Sequence, residues 1–268
     1  MFASLQIPHF AHDRRWSAYG DRLGHLADAV GRRARLAVAH PPEQACSPDL
    51  RLLLGELAAF GDPVVRKFRE PLVLERASQP KVVILLPGFA AHPMRMRYMA
   101  RTLEAAGHRV KRWGLGYNMG PTEPNFEFLS RRVEDVRRRY GHNVVLIGWS
   151  LGGIYARELA KKHPDIVDKV ITLGSPFSHT PYSNNVWRIY QMITGHSVER
   201  PPIEAMMREK PPVETVAFWS PRDGIIAPRS ACGLPDERDR AVALRCTHMG
   251  FSNSAESIAA VARELTIS

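Results

Sequence analysis

Ser150 lies at the centre of a Gly-x-Ser-x-Gly motif that runs from Gly148 to Gly152. The apolar residues 144–147 predict a buried strand before the motif, and the apolar spacing after it predicts a helix. A serine on a tight turn between strand and helix is held clear of the backbone, in a strained conformation that small neighbours permit. The sequence therefore predicts that Ser150 is a nucleophile. The alternative is an ordinary turn with an exposed serine, which the flanking pattern disfavours.

A serine hydroxyl is a poor nucleophile unless a base takes its proton and a carboxylate orients that base. Asp223 follows the predicted strand at 213–219, and His248 follows the predicted strand at 241–246. The carboxyl ends of such strands are where open α/β sheets bind ligands. We therefore predict that Asp223 and His248 complete a catalytic triad with Ser150.

Other acids and histidines fit these roles less well. Asp236 and Asp239 lie in a charged run that is typical of solvated surface, and His179 and His196 lie in an irregular stretch that follows no strand directly. The turn at 174–176, after the next predicted strand, has no carboxylate. Taken singly, an aspartate before a glycine also fits a simple turn, and the histidine fits an ordinary loop. Their joint placement after two successive strands favours the catalytic interpretation.

Acyl transfer also requires donors for the negative charge on the carbonyl oxygen. The backbone N–H of Leu151, directly after the serine, is one predicted donor. The second is predicted to be the Phe89 N–H, in the loop after the strand at 81–86, because Pro87 lacks an N–H and Gly88 lets the backbone turn. A plain loop between strand and helix is the alternative.

Strands and helices alternate around these residues. Apolar runs predict strands at 81–86, 108–113, 144–147, 167–173, 213–219 and 241–246. Helical spacing predicts helices at about 93–106, through 126–140, from 154 to about 163, at 186–193 and at 256–265. This alternation predicts an α/β fold with a mostly parallel central sheet and helices on both faces.

The chain is predicted to have two parts. Residues 1–78 are predicted to form an N-terminal helical segment, with helices at 23–38 and 50–60, that packs on the core. The alternative is that this segment presents an apolar face to a membrane or a partner. Residues 79–268 carry the predicted catalytic residues. Within them, residues 177–211 interrupt the alternation and are predicted to form a small cap over the site.

The cap region carries more apolar side chains than a solvated loop needs. We predict that Phe177 and Trp187 line a substrate pocket, together with Trp149 beside the serine and Met119 in a preceding loop. The alternative is that the aromatic residues pack a small satellite core, as methionines also often do.

The composition limits the function without fixing it. The 268 residues are 44% hydrophobic and carry a formal net charge of +10. Most arginines fall on predicted helical faces, so we predict a solvated basic surface and no nucleic-acid binding; peripheral membrane contact remains open. The three cysteines Cys46, Cys232 and Cys246 lack metal-ligand spacing, so no metal site is predicted, and a Cys232–Cys246 pair is left open.

The sequence also lacks a signal-peptide layout and a membrane-spanning apolar run, which predicts a cytoplasmic protein. The glycine-rich stretch 114–120 lacks the spacing of a nucleotide-binding loop, so no cofactor is predicted. Oligomeric state is left open.

Over roughly residues 80–268, the chain resembles the serine esterases and lipases of the α/β-hydrolase superfamily. The Gly-Trp-Ser-Leu-Gly-Gly turn and the Asp-Gly and His loops carry the resemblance, and Pro87 replaces the histidine that many lipases have. The N-terminal segment departs from the family's two leading strands, for which 71–76 is the one candidate. The resemblance implies an α/β-hydrolase fold and hydrolysis of small-molecule or lipid-like carboxylic esters through an acyl-enzyme. A thioesterase or acyltransferase with the same triad, and a non-catalytic binding module on this scaffold, are the alternatives.

Overall fold

In the computed structural model, which describes residues 27–58, 71–203 and 205–267, six strands form one parallel sheet. The strands are β1 (Val82–Leu86), β2 (Arg109–Arg112), β3 (Val144–Trp149), β4 (Val167–Leu173), β5 (Glu214–Trp219) and β6 (Arg240–Ala243). Their order across the sheet is β2-β1-β3-β4-β5-β6, and every neighbouring pair is parallel. The predicted α/β class with a parallel central sheet is confirmed.

Helices connect the strands and cover the sheet. They are α1 (Leu50–Ala58), α2 (Arg97–Ala105), α3 (Glu123–Tyr140), α4 (Leu151–Lys162), α5 (Trp187–Thr194), α6 (Pro228–Cys232) and α7 (Ala255–Thr266). Residues 27–37 are also helical. The longest, α3, begins where the Thr122 side chain accepts the Asn125 N–H and ends at Gly141, whose positive φ of 70° stops the helix. Among the described residues, no helix combines the length and apolar character needed to cross a bilayer.

The apolar strand runs reflect burial on both faces of the sheet. In β1, Val83 and Leu85 join the core beneath α2 and α7, while Ile84 and Leu86 join the core beneath α3 and α4. Each such side chain contributes about 1.5–3 kcal/mol when fully buried. Because both faces are covered, the strands read as continuous apolar runs rather than as alternating patterns.

The connection order creates a crevice at the carboxyl ends of β1 and β3. The chain passes from β1 to β2 on one side and then returns to place β3 on the other side of β1. Ligands bind at such a switch point in open α/β sheets. The loops that carry Phe89 and Ser150 follow these two strands.

Two strand predictions differ from the structure. Residues 71–76 form no strand; instead, Leu72 and Leu74 pack against the core, and the Leu72 N–H donates to the Tyr98 hydroxyl at 3.1 Å. Strand β6 ends at Ala243 rather than at residue 246. The backbone beyond β6 turns away after the Leu244 N–H donates to Trp219 O.

Helix α1 departs from the pattern expected of an amphipathic helix. Leu50, Leu54 and Leu57 of its apolar stripe are 68%, 68% and 63% exposed, whereas Glu56 is only 3% exposed. The stripe predicted to face the core is therefore largely on the surface, and a carboxylate faces inward. Of the predicted helix at 23–38, residues 27–37 are helical and residues 23–26 lie outside the described part of the chain. Residues 59 and 60, the end of the helix predicted at 50–60, also lie outside it. The three cysteines are unpaired.

Candidate active site

Ser150 occupies a strained turn between β3 and α4. Its φ of 54° and ψ of −123° lie in a region that residues with a side chain rarely adopt. Two backbone hydrogen bonds hold it there, because Ser150 N–H donates to Leu173 O at 2.8 Å and Gly153 N–H donates to Ser150 O at 2.9 Å. The strain is compensated by the surrounding sheet and helix.

The glycines of the motif allow backbones to pass at van der Waals distance. A Cβ at Gly148 would lie 2.2 Å from Gly152 O, and a Cβ at Gly152 would lie 2.2 Å from Leu86 O. Any side chain at either position would therefore push α4 away from β3 and β1. The glycine spacing in the sequence thus has a packing reason at each position.

His248 and Asp223 meet at the carboxyl end of the sheet. His248 Nδ1 and Asp223 Oδ2 are 2.8 Å apart, and both side chains are buried. The other carboxylate oxygen, Oδ1, accepts the N–H groups of Ile225 and Ile226, each at 2.8 Å. With both its oxygens engaged, the aspartate can hold the imidazole in one tautomer, so that Nε2 is left as the free base.

The surroundings of His248 favour its charged form. Burial of the imidazole lowers the pKa of His248, but the charge and hydrogen bond of Asp223 and the charge of Glu56 outweigh burial and raise it above its ordinary 6.5. Trp149 lies beside the ring, with centroids 5.7 Å apart, and its Nε1–H donates to His248 O at 3.0 Å. Ser150 and His248 line the same cavity.

Two of the alternative residues, Asp239 and His179, lie away from the Ser150 cavities. Asp239 accepts the Thr215 N–H at 2.7 Å and pairs with Lys210 at 3.0 Å. His179 lines a separate cavity that contains neither Ser150 nor Asp223. The prediction that Asp223 and His248 are the acid and base therefore stays the preferred one.

The two predicted oxyanion donors flank the serine. Phe89 and Leu151 both line a cavity with Ser150, and within the described residues the N–H of neither makes a hydrogen bond. Two unengaged N–H groups beside a nucleophile can receive a developing oxyanion.

Asn118 fixes the loop that carries Phe89, a role that sequence reasoning missed. The buried side chain of Asn118 donates from Nδ2 to Pro87 O at 2.8 Å, and its backbone accepts the Ala90 N–H at 2.7 Å and donates to Ala91 O at 3.1 Å. The sequence signal for this role is an asparagine inside the glycine-rich stretch 114–120.

Glu56 was also missed. Its carboxylate accepts three backbone N–H groups from the loops that carry the acid and the histidine: Gly224 at 2.9 Å, His248 at 2.6 Å and Met249 at 2.9 Å. A single glutamate in an apolar helical pattern is usually read as solvent-facing, so only the tertiary contacts identify it.

Two cavities adjoin Ser150. The smaller, of about 90 Å³, has an almost wholly apolar wall, whereas the larger is a cleft of about 870 Å³ with a more polar wall. Ser150, Phe89 and Val186 belong to both walls, and His248 belongs to the cleft only. Much of the small cavity's wall comes from the predicted cap: Trp187, Tyr190, Val198, Pro201, Ile203 and Met207.

The four predicted pocket residues lie in different places. Trp187 lines the small cavity and Trp149 lines the cleft. Phe177 is in neither wall; it packs in a satellite core under the Arg157 guanidinium, 4.2 Å from the ring centre. Met119 is exposed at the surface, also outside both walls. In the described part of the chain, no three His, Cys, Asp or Glu side chains are grouped to hold a metal ion.

A sequence model of the family described as "alpha/beta hydrolase fold" matches residues 81–193, which include β1 and the whole Ser150 turn. Over this stretch the chain is similar to the α/β hydrolases, in agreement with the fold described above. Two curated relatives also match parts of the chain. A pimeloyl-[acyl-carrier protein] methyl ester esterase of Nitrosospira multiformis is 26% identical over 130 residues, 45% of this chain and 48% of that protein. A biotin biosynthesis bifunctional protein of Teredinibacter turnerae is 38% identical over 47 residues, 18% of this chain and 8% of that protein.

The chain therefore spans about half the length of the first relative and less than a tenth of the second.

Among solved structures, the Bacillus licheniformis lipase BlEst2 is similar to this chain in both of its forms. The propeptide form superimposes with a TM-score of 0.54 at 17% identity, covering 72% of this chain and 53% of that one. The mature form gives 0.53 at 14% identity, with 73% and 96% covered. At identities this low, the similarity to BlEst2 concerns the fold alone.

Proposed function

We propose that this α/β-hydrolase is a serine esterase that cleaves carboxylic esters through an acyl-enzyme. The observation that carries the proposal is the buried His248–Asp223 pair, with 2.8 Å between Nδ1 and Oδ2, in the same cavity wall as a serine on a strained turn. The Nitrosospira relative, named as a methyl ester esterase, supports ester chemistry.

In the proposed reaction, the Ser150 hydroxyl attacks the ester carbonyl while His248 Nε2 takes its proton. The Asp223 carboxylate stabilises the imidazolium that forms. The carbonyl oxygen becomes an oxyanion and accepts hydrogen bonds from the N–H groups of Phe89 and Leu151. Collapse of this intermediate breaks the bond to the alcohol, which leaves with the proton from His248. Water then attacks the acyl-enzyme by the same steps and releases the acid.

The two cavities divide the substrate between them. His248 must protonate the leaving alcohol, and it lies in the wall of the wide cleft only, so the alcohol part occupies the cleft. The acyl part then points into the small apolar cavity behind Ser150. A cavity of about 90 Å³ suits a short acyl chain, whereas the cleft of about 870 Å³ accepts a bulky alcohol.

Replacement of Ser150 by alanine tests the mechanism. We expect hydrolysis of short-chain p-nitrophenyl esters to fall by about 10³-fold or more, because the members of a triad act as a unit. A fluorophosphonate should label the wild-type enzyme at Ser150 and leave the variant unlabelled. Ser130→Ala, a buried serine on α3 outside both cavity walls, is the control and should keep full activity.

Near-normal turnover by pure, folded Ser150→Ala would contradict the proposal. Oxygen esters and thioesters of the same acyl group, assayed side by side, separate an esterase from the thioesterase alternative. Addition of alcohol acceptors reveals acyl transfer, since transfer would yield new esters in place of free acid.

A further inference from the structure

The inward face of α1 meets the predicted catalytic loops. Glu56 Oε1 accepts the N–H groups of Gly224 and His248, and Oε2 accepts the N–H of Met249. Gly224 directly follows the predicted acid, and Met249 directly follows the predicted base. One buried side chain thus joins the loop after β5 to the loop after β6.

The approach of α1 is close as well as specific. A Cβ at Gly224 would lie 2.4 Å from both the carbonyl carbon and the oxygen of Leu52, and 2.6 Å from Leu53 N. The Asn185 side chain adds a second tie, because its Nδ2 donates to Gly224 O at 2.8 Å and to Pro48 O at 3.1 Å. The backbone of α1 therefore approaches the loop beyond Asp223 as closely as only a glycine permits, and Asn185 ties that loop to the residues just before α1.

Burial of a carboxylate is costly unless its oxygens are hydrogen-bonded. The three N–H groups satisfy that requirement, so the contact is stabilising only while both loops are in place. Glu56 touches the backbone of His248 and not its ring nitrogens, so it takes no part in proton transfer. Its negative charge nevertheless acts on the imidazole, because it contributes to the raised pKa of His248.

We propose that Glu56 is a positioning residue, which sets the geometry of Asp223 and His248 by holding the backbones of their loops together. The inference rests on the proposed serine-esterase function. It assigns to α1, which precedes the part of the chain matched by the family, a role in turnover.

Two substitutions test the role. Glu56→Ala removes all three acceptors, and Glu56→Gln keeps the shape but loses the charge and turns an NH₂ group toward the backbone N–H groups. We expect kcat on p-nitrophenyl esters to fall about 10²-fold in Glu56→Ala, because a misplacement of catalytic groups by about 1 Å costs that much in other active sites. The loss of kcat should be smaller in Glu56→Gln, and KM should change little in either variant. Loss of the nearby charge should also move the acidic limb of kcat/KM to lower pH in both variants.

Two control variants separate positioning from stability. Glu237→Gln removes the charge of another buried glutamate, which accepts the Leu234 N–H and pairs with Arg208 away from both cavity walls. Leu54→Ala removes an exposed side chain of α1. We expect both to keep the wild-type kcat and pH profile, although Glu237→Gln should lower Tm. Proton NMR of the downfield His248 Nδ1–H signal reports the His–Asp hydrogen bond directly and should change only in the Glu56 variants.

The outcomes are distinct. A wild-type kcat and an unmoved acidic limb in folded Glu56→Gln would overturn the positioning role, as would a loss that merely follows the unfolded fraction at the assay temperature. If Glu56→Ala does not fold, the kcat of Glu56→Gln and its His248 Nδ1–H signal test the positioning role instead. Full activity of Ser150→Ala would instead overturn the proposed function, whatever the Glu56 variants do.

Discussion

At the scale of single residues, the environment of His248 governs the pH dependence. Its ring is enclosed by Asp223, by Trp149 and by Phe251, whose ring centre lies 6.3 Å away. The pKa of His248 is raised above 6.5, so the imidazole stays protonated to a higher pH than an ordinary histidine. Only the neutral form accepts the serine proton, and we therefore expect kcat/KM to keep rising above pH 6.5. A profile that is flat, or that levels off below that pH, would contradict this.

Asp223 is expected to matter through the tautomer that it enforces. In Asp223→Asn the amide donates to Nδ1, so the proton moves to Nε2 and the base is lost; we expect kcat to fall by about 10⁴-fold. Asp239→Asn is the matched control, since Asp239 binds Thr215 N–H and Lys210 instead. Steady-state kinetics on both folded variants test the assignment. A large loss in Asp239→Asn with activity retained in Asp223→Asn would reverse it.

At the scale of elements, the turn between β3 and α4 depends on close backbone contact. In Gly152→Ala the new Cβ would meet Leu86 O at 2.2 Å and Pro87 O at 2.8 Å, and backbone atoms cannot yield as side chains can. We expect a loss of about 1–3 kcal/mol in the free energy of unfolding, or more, together with a lower kcat. Gly116→Ala is the control, because its Cβ would meet nothing within 4 Å. Thermal unfolding of the two variants gives the comparison.

The elements that the sequence predicted well are those buried on both faces. Strand β4 was predicted at its observed bounds, because an apolar run between turn residues leaves little choice of boundary. The end of β6 was placed three residues too late, since Leu244 and Cys246 continue the apolar pattern after the backbone has left the sheet. Packing, and not strand pairing, explains the apolar character of those two residues.

Tertiary contacts that join distant parts of the chain were beyond sequence reasoning. Glu56 lies 192 residues from His248, and its helix was expected to bury leucines. Asn118 lies 31 residues from Pro87 in a loop without a strong local pattern. The sequence singles out Ser150, Asp223 and His248 as candidates because each follows a predicted strand, whereas the side chains that hold their loops have no such signal.

At the scale of the whole molecule, the cap and the sheet together form the small cavity, and the cap is predicted to select the acyl chain. Each methylene that enters an apolar pocket contributes about 0.8 kcal/mol, or about fourfold in kcat/KM, until the pocket is full. A panel of p-nitrophenyl esters of rising acyl length should therefore show an early maximum and then a decline. Wild-type activity that rises steadily to long chains would contradict a small acyl cavity.

Trp187 and Ile189 on α5 provide a matched test of this division. Trp187 is 3% exposed and lines the small cavity, whereas Ile189 is 49% exposed and lines only the wide cleft. Trp187→Ala should enlarge the small cavity and move the acyl-length maximum to longer chains. Because the ring also packs edge-on against Tyr182, with centroids 5.0 Å apart, the change should lower the free energy of unfolding by about 3–5 kcal/mol. The variant should therefore be assayed well below its Tm.

Ile189→Ala should leave the acyl maximum unchanged and alter the response to bulky alcohols, because the alcohol part is predicted to lie in the cleft. The kcat/KM values of both variants on a grid of acyl and alcohol sizes measure the two effects separately. If Ile189→Ala moves the acyl maximum and folded Trp187→Ala does not, the acyl chain lies in the cleft. The leaving alcohol would then lie in the small cavity, whose wall lacks His248. Direct proton transfer from His248 to the alcohol would no longer be explained by the proposed substrate orientation.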